Sequence, residues 1–305
     1  MSLTRCEFEI LSYLESKKSV NSVRCLSDDI CISGESLTEA LDSLQSKKLL
    51  YHEGDVFTLS EAGIKALEPY RVKKAIVVGA GFGSRMMPAT ANRPKPMVTV
   101  NGVRIIDTLL DALVAVGITD ITVVGGYHFE VMKELLEKYP YIRLLNNTKY
   151  SEENNISSAL LAMDYFHGGC YFCEADLLIT NKDVIKKYQY ASNILGSWSI
   201  RTDDWCFKSK DGCVDDYKKG GRYCYNYYGI SFWTDEDASK LKRDWAELYA
   251  APGGKALFWE FPAFVNRKEN YNIEIRPCRK QDIIEIDSFD ELASLDPSYL
   301  KMKEN

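Results

Sequence analysis

Apolar residues in the first 68 positions recur at helical spacing and then give way to alternation. Leu37, Leu41, Leu44 and the Leu49–Leu50 pair predict a helix over 36–49, and similar stripes predict helices over 5–15 and 23–30. The stretch YHEGDVFTLSEAGIKALEPY then predicts a strand, a Gly54-Asp55 turn, a second strand and a short helix stopped near Pro69. From Lys73 the pattern changes. Apolar runs at Ala75–Val78, Ile121–Val124, Ile142–Leu145 and Cys170–Cys173 are separated by helical patterns over 105–116, 130–139 and 155–163. Strand alternating with helix predicts βαβ units, hence an α/β, Rossmann-like, mostly parallel sheet with helices on its faces. Beyond Trp198 the pattern predicts short aromatic strands, as in GRYCYNYYGISFWT, forming an antiparallel extension. The expected division is a small module over 1–70 and a larger domain over 71–305.

A chain of 305 residues fits two domains, and 46% apolar with 27% charged residues is ordinary for a globular protein. No apolar run approaches about 18 residues, so no membrane span is expected. The start MSLTRCEFEI has no secretory pattern, and nine cysteines, an odd number, suit reduced thiols; both favour the cytoplasm. Cys170 and Cys173 lie within an apolar strand pattern, and packing explains them better than metal binding. The net charge of −6 argues against broad affinity for nucleic acid.

Helices followed by a small hairpin make residues 1–68 resemble a winged helix-turn-helix module. That region carries 7 Lys and Arg against 12 Asp and Glu, whereas a DNA reader must neutralise phosphates. A dimerisation or regulatory role fits the charge better than DNA binding, and a homo-oligomer is compatible with the sequence.

The larger domain opens with KKAIVVGAGFGSRMMPATANRPKPMV, residues 73–98. Glycines directly after a strand let backbone N–H groups approach a phosphate. A dinucleotide fold would continue into an unbroken helix, but Pro88, Pro94 and Pro96 interrupt here. There is no Gly-Lys-Ser/Thr, which excludes a P-loop. The fixed cations Arg85 and Lys95 suit a triphosphate from which pyrophosphate departs. The stretch GAGFGSRMMPATANRPKPMV resembles the signature of sugar-phosphate and phosphocholine nucleotidyltransferases. Gly81, Gly83, Ser84, Arg85, Pro88, Thr90, Pro94 and Lys95 match it, while Gly79 replaces a frequent alanine. The resemblance implies that the turn from Gly79 and Ala80 to Ser84 meets the nucleotide, and that Arg85 and Lys95 handle its phosphates. It also places Asn154, Asn155 and Ser158, in YSEENNISSALLAM, at the nucleotide edge.

Nucleotidyl transfer calls for a divalent cation such as Mg²⁺, which takes oxygen ligands. Asp176, at the end of the CYFCEAD strand pattern, stands where parallel sheets bind ligands, and the resemblance makes it a metal ligand. A second carboxylate is expected from Asp287, in IIEIDSFDEL, or Glu260, in LFWEF; Asp287-Ser288 also reads as a helix N-cap. The acceptor end is read from aromatics set beside acids. Trp205, Phe258 and Trp259, with Tyr228 a further addition, are expected to surround an ammonium group, alongside Asp203, Asp204 and Glu260. Together with the resemblance, this implies a Mg²⁺-dependent transfer of CMP from CTP to a small zwitterionic phosphorylated or phosphonylated amine, phosphocholine first. 2-Aminoethylphosphonate, a sugar 1-phosphate, or a nucleotide-sensing regulator are the alternatives. CTP as donor rests on the resemblance alone.

Overall fold

The structure is a computed structural model that describes residues 2–17, 19–20, 22–54 and 56–302. Its contacts form two compact units, Met1–Arg71 with Tyr188–Tyr190, and Val72–Lys187 with Ala191–Asn305.

The smaller unit runs α1 (Arg5–Lys17), β1 (Ser19–Val20), α2 (Val23–Ile30), α3 (Glu35–Ser46), β2 (Leu50–Glu53), β3 (Val56–Leu59) and α4 (Glu61–Leu67). Its three strands form an antiparallel sheet in the order β1-β3-β2. Leu37, Leu41 and Leu44 bury one stripe of α3 against Phe8, Leu11 and Leu14 of α1, the contact that the helical spacing implies. The Ser22 and Ser60 side chains cap α2 and α4. The helix expected over 36–49 ends at Ser46, because Lys48 takes a left-handed φ of 57° and turns Leu49–Leu50 toward the sheet. Asp55 of the expected turn lies outside the described residues.

The larger unit is built on a seven-stranded sheet. Its elements are β4 (Lys74–Val78), a short pair β5 (Thr99–Val100) and β6 (Val103–Arg104), α5 (Ile105–Ala115), β7 (Asp120–Gly125), α6 (Phe129–Met132), α7 (Leu135–Lys138), β8 (Arg143–Asn146), α8 (Ile156–Ala162), β9 (Cys170–Glu174), β10 (Leu177–Ile179), β11 (Asn193–Lys210), β12 (Cys213–Trp233), α9 (Asp235–Ala250), β13 (Glu274–Cys278), β14 (Ile283–Glu285) and α10 (Phe289–Leu295). The sheet order is β11-β13-β12-β9-β4-β7-β8. Strands β9, β4, β7 and β8 are parallel, and β12 joins them antiparallel through β9. Alternation along β4 sends Ala75 and Val77 to the layer containing α5, and Ile76 and Val78 to the layer with α8 and α9. Cys170 and Cys173 fall in opposite layers, so packing accounts for both.

Two expectations change. The helix expected over 130–139 is split into α6 and α7, because successive bonds tighten to i→i+3, Lys133 to Glu130 and Glu134 to Val131 among them. The short aromatic strands are one long hairpin, 18 and 21 residues per arm, with several register shifts. Its turn places Asp211 at φ 53° and Gly212 at φ 81°, the two left-handed residues of a type I′ turn.

This topology fixes where chemistry can occur. In β4 and β9, Val78 pairs with Glu174, so the glycine turn and the acidic turn leave the sheet side by side at its carboxyl edge.

Candidate active site

The glycine turn is shaped by close approach. A Cβ on Gly79 would lie 2.6 Å from the Ala175 Cβ and 2.8 Å from Pro96, so β9 and the proline segment leave room only for hydrogen. Gly83 adopts φ 61° with the Lys95 side chain directly beneath. The chain then passes through single 3₁₀ turns at Ser84–Met86 and Lys95–Met97. The prolines deny it a long helix and bring Lys95 back beneath the glycines.

Lys95 is the centre of an ion cluster. Its Nζ lies 2.8 Å from Asp176 Oδ2 and 2.9 Å from Asp287 Oδ1, and the side chain is only 10% exposed. Arg85, 71% exposed, reaches the other Asp287 oxygen at 3.1 Å. Burial opposes charge on Lys95, but the two carboxylates outweigh it and raise the pKa above the usual lysine range. Burial likewise opposes charge on Asp287, and Lys95 with Arg85 reverses that effect and lowers its pKa. Asp176 sits in the turn just beyond β9 rather than within the strand. Ser288, with Glu291, makes the capping box of α10, which leaves the Asp287 carboxylate free for the cations.

These groups line one cleft of about 650 Å³, together with Gly79, Ala80, Gly81, Gly83, Ser84, Asn154, Asn155 and Ser158. The same cleft receives Asp204, Trp205, Phe258 and Glu260. Asp203 instead points to Arg201 on the surface.

Oxygen donors suited to a hard cation are present. Carboxylate oxygens of Asp204, Glu285 and Asp287 lie within 4.8 Å of one another, and Asp176 is joined to Asp287 through Lys95. Glu260 was expected as the alternative to Asp287 for the carboxylate that joins Asp176, but it stands outside this group. It is 3% exposed, with Oε1 accepting the Tyr217 hydroxyl at 3.0 Å and Oε2 buried without a partner. Asp204 and Glu285 are the carboxylates grouped with Asp287.

The aromatic end also differs in detail. Trp205 stacks on Tyr217 with centroids 5.1 Å apart and planes at 13°, and meets Phe258 edge-on at 5.9 Å. Tyr228 is not part of this group. Its hydroxyl pairs with Ser197 in the core layer, while the adjacent Tyr227 faces the cleft, because neighbouring strand residues point to opposite sides. Trp259 is fully buried and presents no face to the cleft; its indole N–H donates to Glu174 Oε1 at 3.0 Å. Sequence reasoning missed Tyr217, Tyr227, Glu174 and Glu285. Glu174 had a signal, two residues before Asp176 on the same strand pattern; the tyrosines had none beyond an aromatic-rich run.

Three carboxyls at this end hold protons unusually strongly. Burial raises Glu174 well above the normal range, reinforced by Asp176 and Glu260. Glu285 is pushed up to about 8 by burial and by Asp176 and Asp287. Burial pushes Glu260 up to about 7 against the opposing Tyr217 hydrogen bond. A carboxyl whose folded pKa exceeds its unfolded value contributes stability that declines as pH rises between the two values. Thermal stability is therefore expected to fall between about pH 4.5 and pH 7 on account of Glu260, by up to about 3 kcal/mol. Melting curves of Glu260→Gln across that window should show a shallower slope than the parent; an unchanged slope would contradict this assignment.

A glycine turn over a buried lysine, paired with strand-end carboxylates, is how this chain would hold a nucleoside triphosphate. The Nucleotidyl transferase family pattern matches residues 74–195. A 2-aminoethylphosphonate cytidylyltransferase of Lancefieldella rimae is 38% identical over 229 residues, 74% of this chain and 93% of that protein. The chain belongs to the nucleotidyl transferase family. A choline-phosphate cytidylyltransferase of Streptococcus pneumoniae is 31% identical, over 73% of this nucleotidyltransferase and 96% of its relative. A solved structure of CTP:phosphocholine cytidylyltransferase from Streptococcus pneumoniae superposes with a TM-score of 0.69 at 29% identity, covering 75% of this chain and 99% of that one. Among the described residues, no helix is long and apolar enough to cross a membrane.

Proposed function

We propose that this nucleotidyltransferase transfers CMP from CTP to 2-aminoethylphosphonate, or a close primary-amine analogue, and releases pyrophosphate. The observation that carries the choice of acceptor is the buried, unpartnered Oε2 of Glu260 at the aromatic end of the cleft. A primary ammonium donates hydrogen bonds to such an oxygen, whereas a trimethylated one has no N–H to offer. Glu174 and Glu285 add carboxyl oxygens to that end, whose raised affinity for protons marks a place where a positive group is favoured, and Tyr217 and Trp205 supply faces for the cation. The sequence reading placed phosphocholine first. The stack of Trp205 on Tyr217 keeps that acceptor as the second reading, while the carboxylates favour the primary amine. CTP as donor is supported by the names of the relatives matched over about three quarters of the chain.

An oxygen of the acceptor's phosphonate attacks the α-phosphorus of CTP. A new P–O bond forms as the α–β anhydride bond breaks, and the electron pair leaves with pyrophosphate. The attacking oxygen is already anionic near neutral pH, so no side-chain nucleophile or covalent intermediate is required. Backbone N–H groups from Ala80 to Ser84 approach the triphosphate, since that of Gly79 is held by the Val124 carbonyl, while Lys95 and Arg85 offset the charge that grows on the leaving group. Asp176 and Asp287, with Asp204 and Glu285 nearby, would hold Mg²⁺. Mg²⁺, when bound, supplies charge neutralisation and alignment of the phosphates.

We read the 1–70 module as winged-helix-like from its element order. Helix α3 exposes Glu35, Glu39 and Asp42, which suits a regulatory or self-association role better than a contact with DNA phosphates.

Pyrophosphate release tests the assignment. Each nucleoside triphosphate is supplied with 2-aminoethylphosphonate, phosphoethanolamine, phosphocholine or glucose 1-phosphate. The expected result is release with CTP, with kcat/KM at least about tenfold higher for the primary amines than for phosphocholine, since one hydrogen bond to a charged group contributes about 1.5–3 kcal/mol. Preference for glucose 1-phosphate would mean that the aromatics and acids do not form an ammonium site.

A further inference from the structure

Asn154 and Asn155 were read as part of the nucleotide edge, yet their polar atoms, like those of the preceding Glu153, are committed to the other side of the cleft. The backbone N–H of Asn154 donates to the Lys255 carbonyl at 2.8 Å, and its side-chain amide donates to the Ala256 carbonyl at 3.1 Å. Asn155 Oδ1 accepts the Trp259 backbone N–H at 2.8 Å. The Glu153 carboxylate, 4% exposed, accepts the Tyr249 hydroxyl at 2.8 Å and pairs with Lys255 at 3.0 Å. Three consecutive residues thus clasp the segment that follows α9.

That segment delivers the aromatic end of the cleft. Phe258 and Glu260 line it, and Trp259 between them turns inward. The Trp259 carbonyl accepts the Trp245 indole N–H at 2.6 Å, and its own indole N–H holds Glu174 at 3.0 Å. Asn155 precedes α8 but does not use its side chain as a cap. The N–H groups of Ser157 and Ser158 instead bond to the backbone carbonyls of Asn154 and Asn155. The Asn155 oxygen is therefore available to Trp259 at no cost to the helix.

We propose that Asn155 is a positioning residue for the acceptor: by fixing Trp259 it sets the places of Phe258, Glu260 and Glu174 around the ammonium group. This rests on the reading of that end of the cleft as the acceptor site. Loss of the Asn155 oxygen frees one backbone N–H in a buried turn and lets the segment shift. The consequence falls on acceptor binding, because among the described residues neither the glycine turn nor Lys95 hydrogen-bonds Asn155.

Steady-state kinetics of Asn155→Ala and Asn155→Asp test the proposal, with the acceptor that the parent enzyme turns over best. For alanine the expected result is a KM for the acceptor raised about tenfold or more, in line with the about 1–3 kcal/mol cost of a buried unpaired donor. The KM for CTP should stay within about twofold. Aspartate retains an accepting oxygen and should restore the acceptor KM to within about threefold of the parent. Equal rises in both KM values would make Asn155 a nucleotide contact and overturn the proposal. So would an unchanged acceptor KM, or an aspartate variant as impaired as alanine. If Asn155→Ala fails to fold, Trp259→Phe, which keeps an aromatic ring there but removes the indole N–H that holds Glu174, should raise the acceptor KM alone; no rise counts against the proposal. If the parent enzyme prefers a sugar phosphate, the ammonium reading falls. The KM split measured with that sugar phosphate then still decides the role of Asn155.

Discussion

Replacing Asp176 by alanine is expected to lower kcat for pyrophosphate release by about 10³-fold, the equivalent of about 4 kcal/mol of transition-state stabilisation. Asp176 follows β9 at the carboxyl edge of the parallel sheet and hydrogen-bonds Lys95 at 2.8 Å. Its removal takes away an oxygen donor proposed for Mg²⁺ and one of the two anchors that aim the lysine. The remaining anchor, Asp287, is shared with Arg85, so it cannot hold Lys95 in the same place. Asp176 is a turn residue whose side chain is 33% exposed, and the variant should fold normally. Single-turnover release, compared with CTP affinity measured separately, separates a chemical defect from a binding defect. A loss of less than about tenfold would remove Asp176 from the reaction centre.

Lys95→Met is expected to cost about 10²- to 10³-fold in kcat, comparable to deleting one fixed donor to a developing oxyanion. Methionine keeps the length of the buried stem while losing the ammonium. The side chain lies beneath Gly83 and is almost enclosed, so a solvated lysine nearby cannot replace it. Asp287 then keeps only the exposed Arg85 as a cation and Glu285 loses Lys95, which should raise the pKa of both carboxyls and lower stability at neutral pH. A fall in Tm that is larger at pH 8 than at pH 5, alongside the kinetic defect, would agree with this. A variant with normal kcat would show that the lysine only balances charge.

Much of the centre was legible because it depends on short-range geometry. Glycines at the end of a strand, prolines that forbid a helix and a strand-end aspartate each carry their meaning within a few residues. The pairing of Lys95 with Asp287 spans 192 positions, and no local pattern announces it; the resemblance to nucleotidyltransferases supplied Asp287. The acceptor end was legible in composition but not in orientation. Register shifts along β11 and β12, between Thr202 and Trp205 among others, hide which set of alternating residues faces the cleft, and it is Tyr227 rather than Tyr228. Trp259 was read as a cage wall because it neighbours Phe258. Its inward turn depends on Asn155, 104 positions away, and on Glu174. In the smaller unit the helices were legible from their stripes, whereas the end of α3 at Ser46 turned on the left-handed Lys48.

The most direct measurement is a competition in one vessel. The purified protein, CTP and Mg²⁺ are incubated with equal concentrations of 2-aminoethylphosphonate and phosphocholine, and the CMP conjugates are weighed by mass spectrometry. The expected result is a CMP–aminoethylphosphonate product in about tenfold or greater excess, formed in step with pyrophosphate and with no nucleotide attached to the protein. A majority of CDP-choline, or no conjugate of either amine, would contradict the assignment of the buried carboxylates to a primary ammonium.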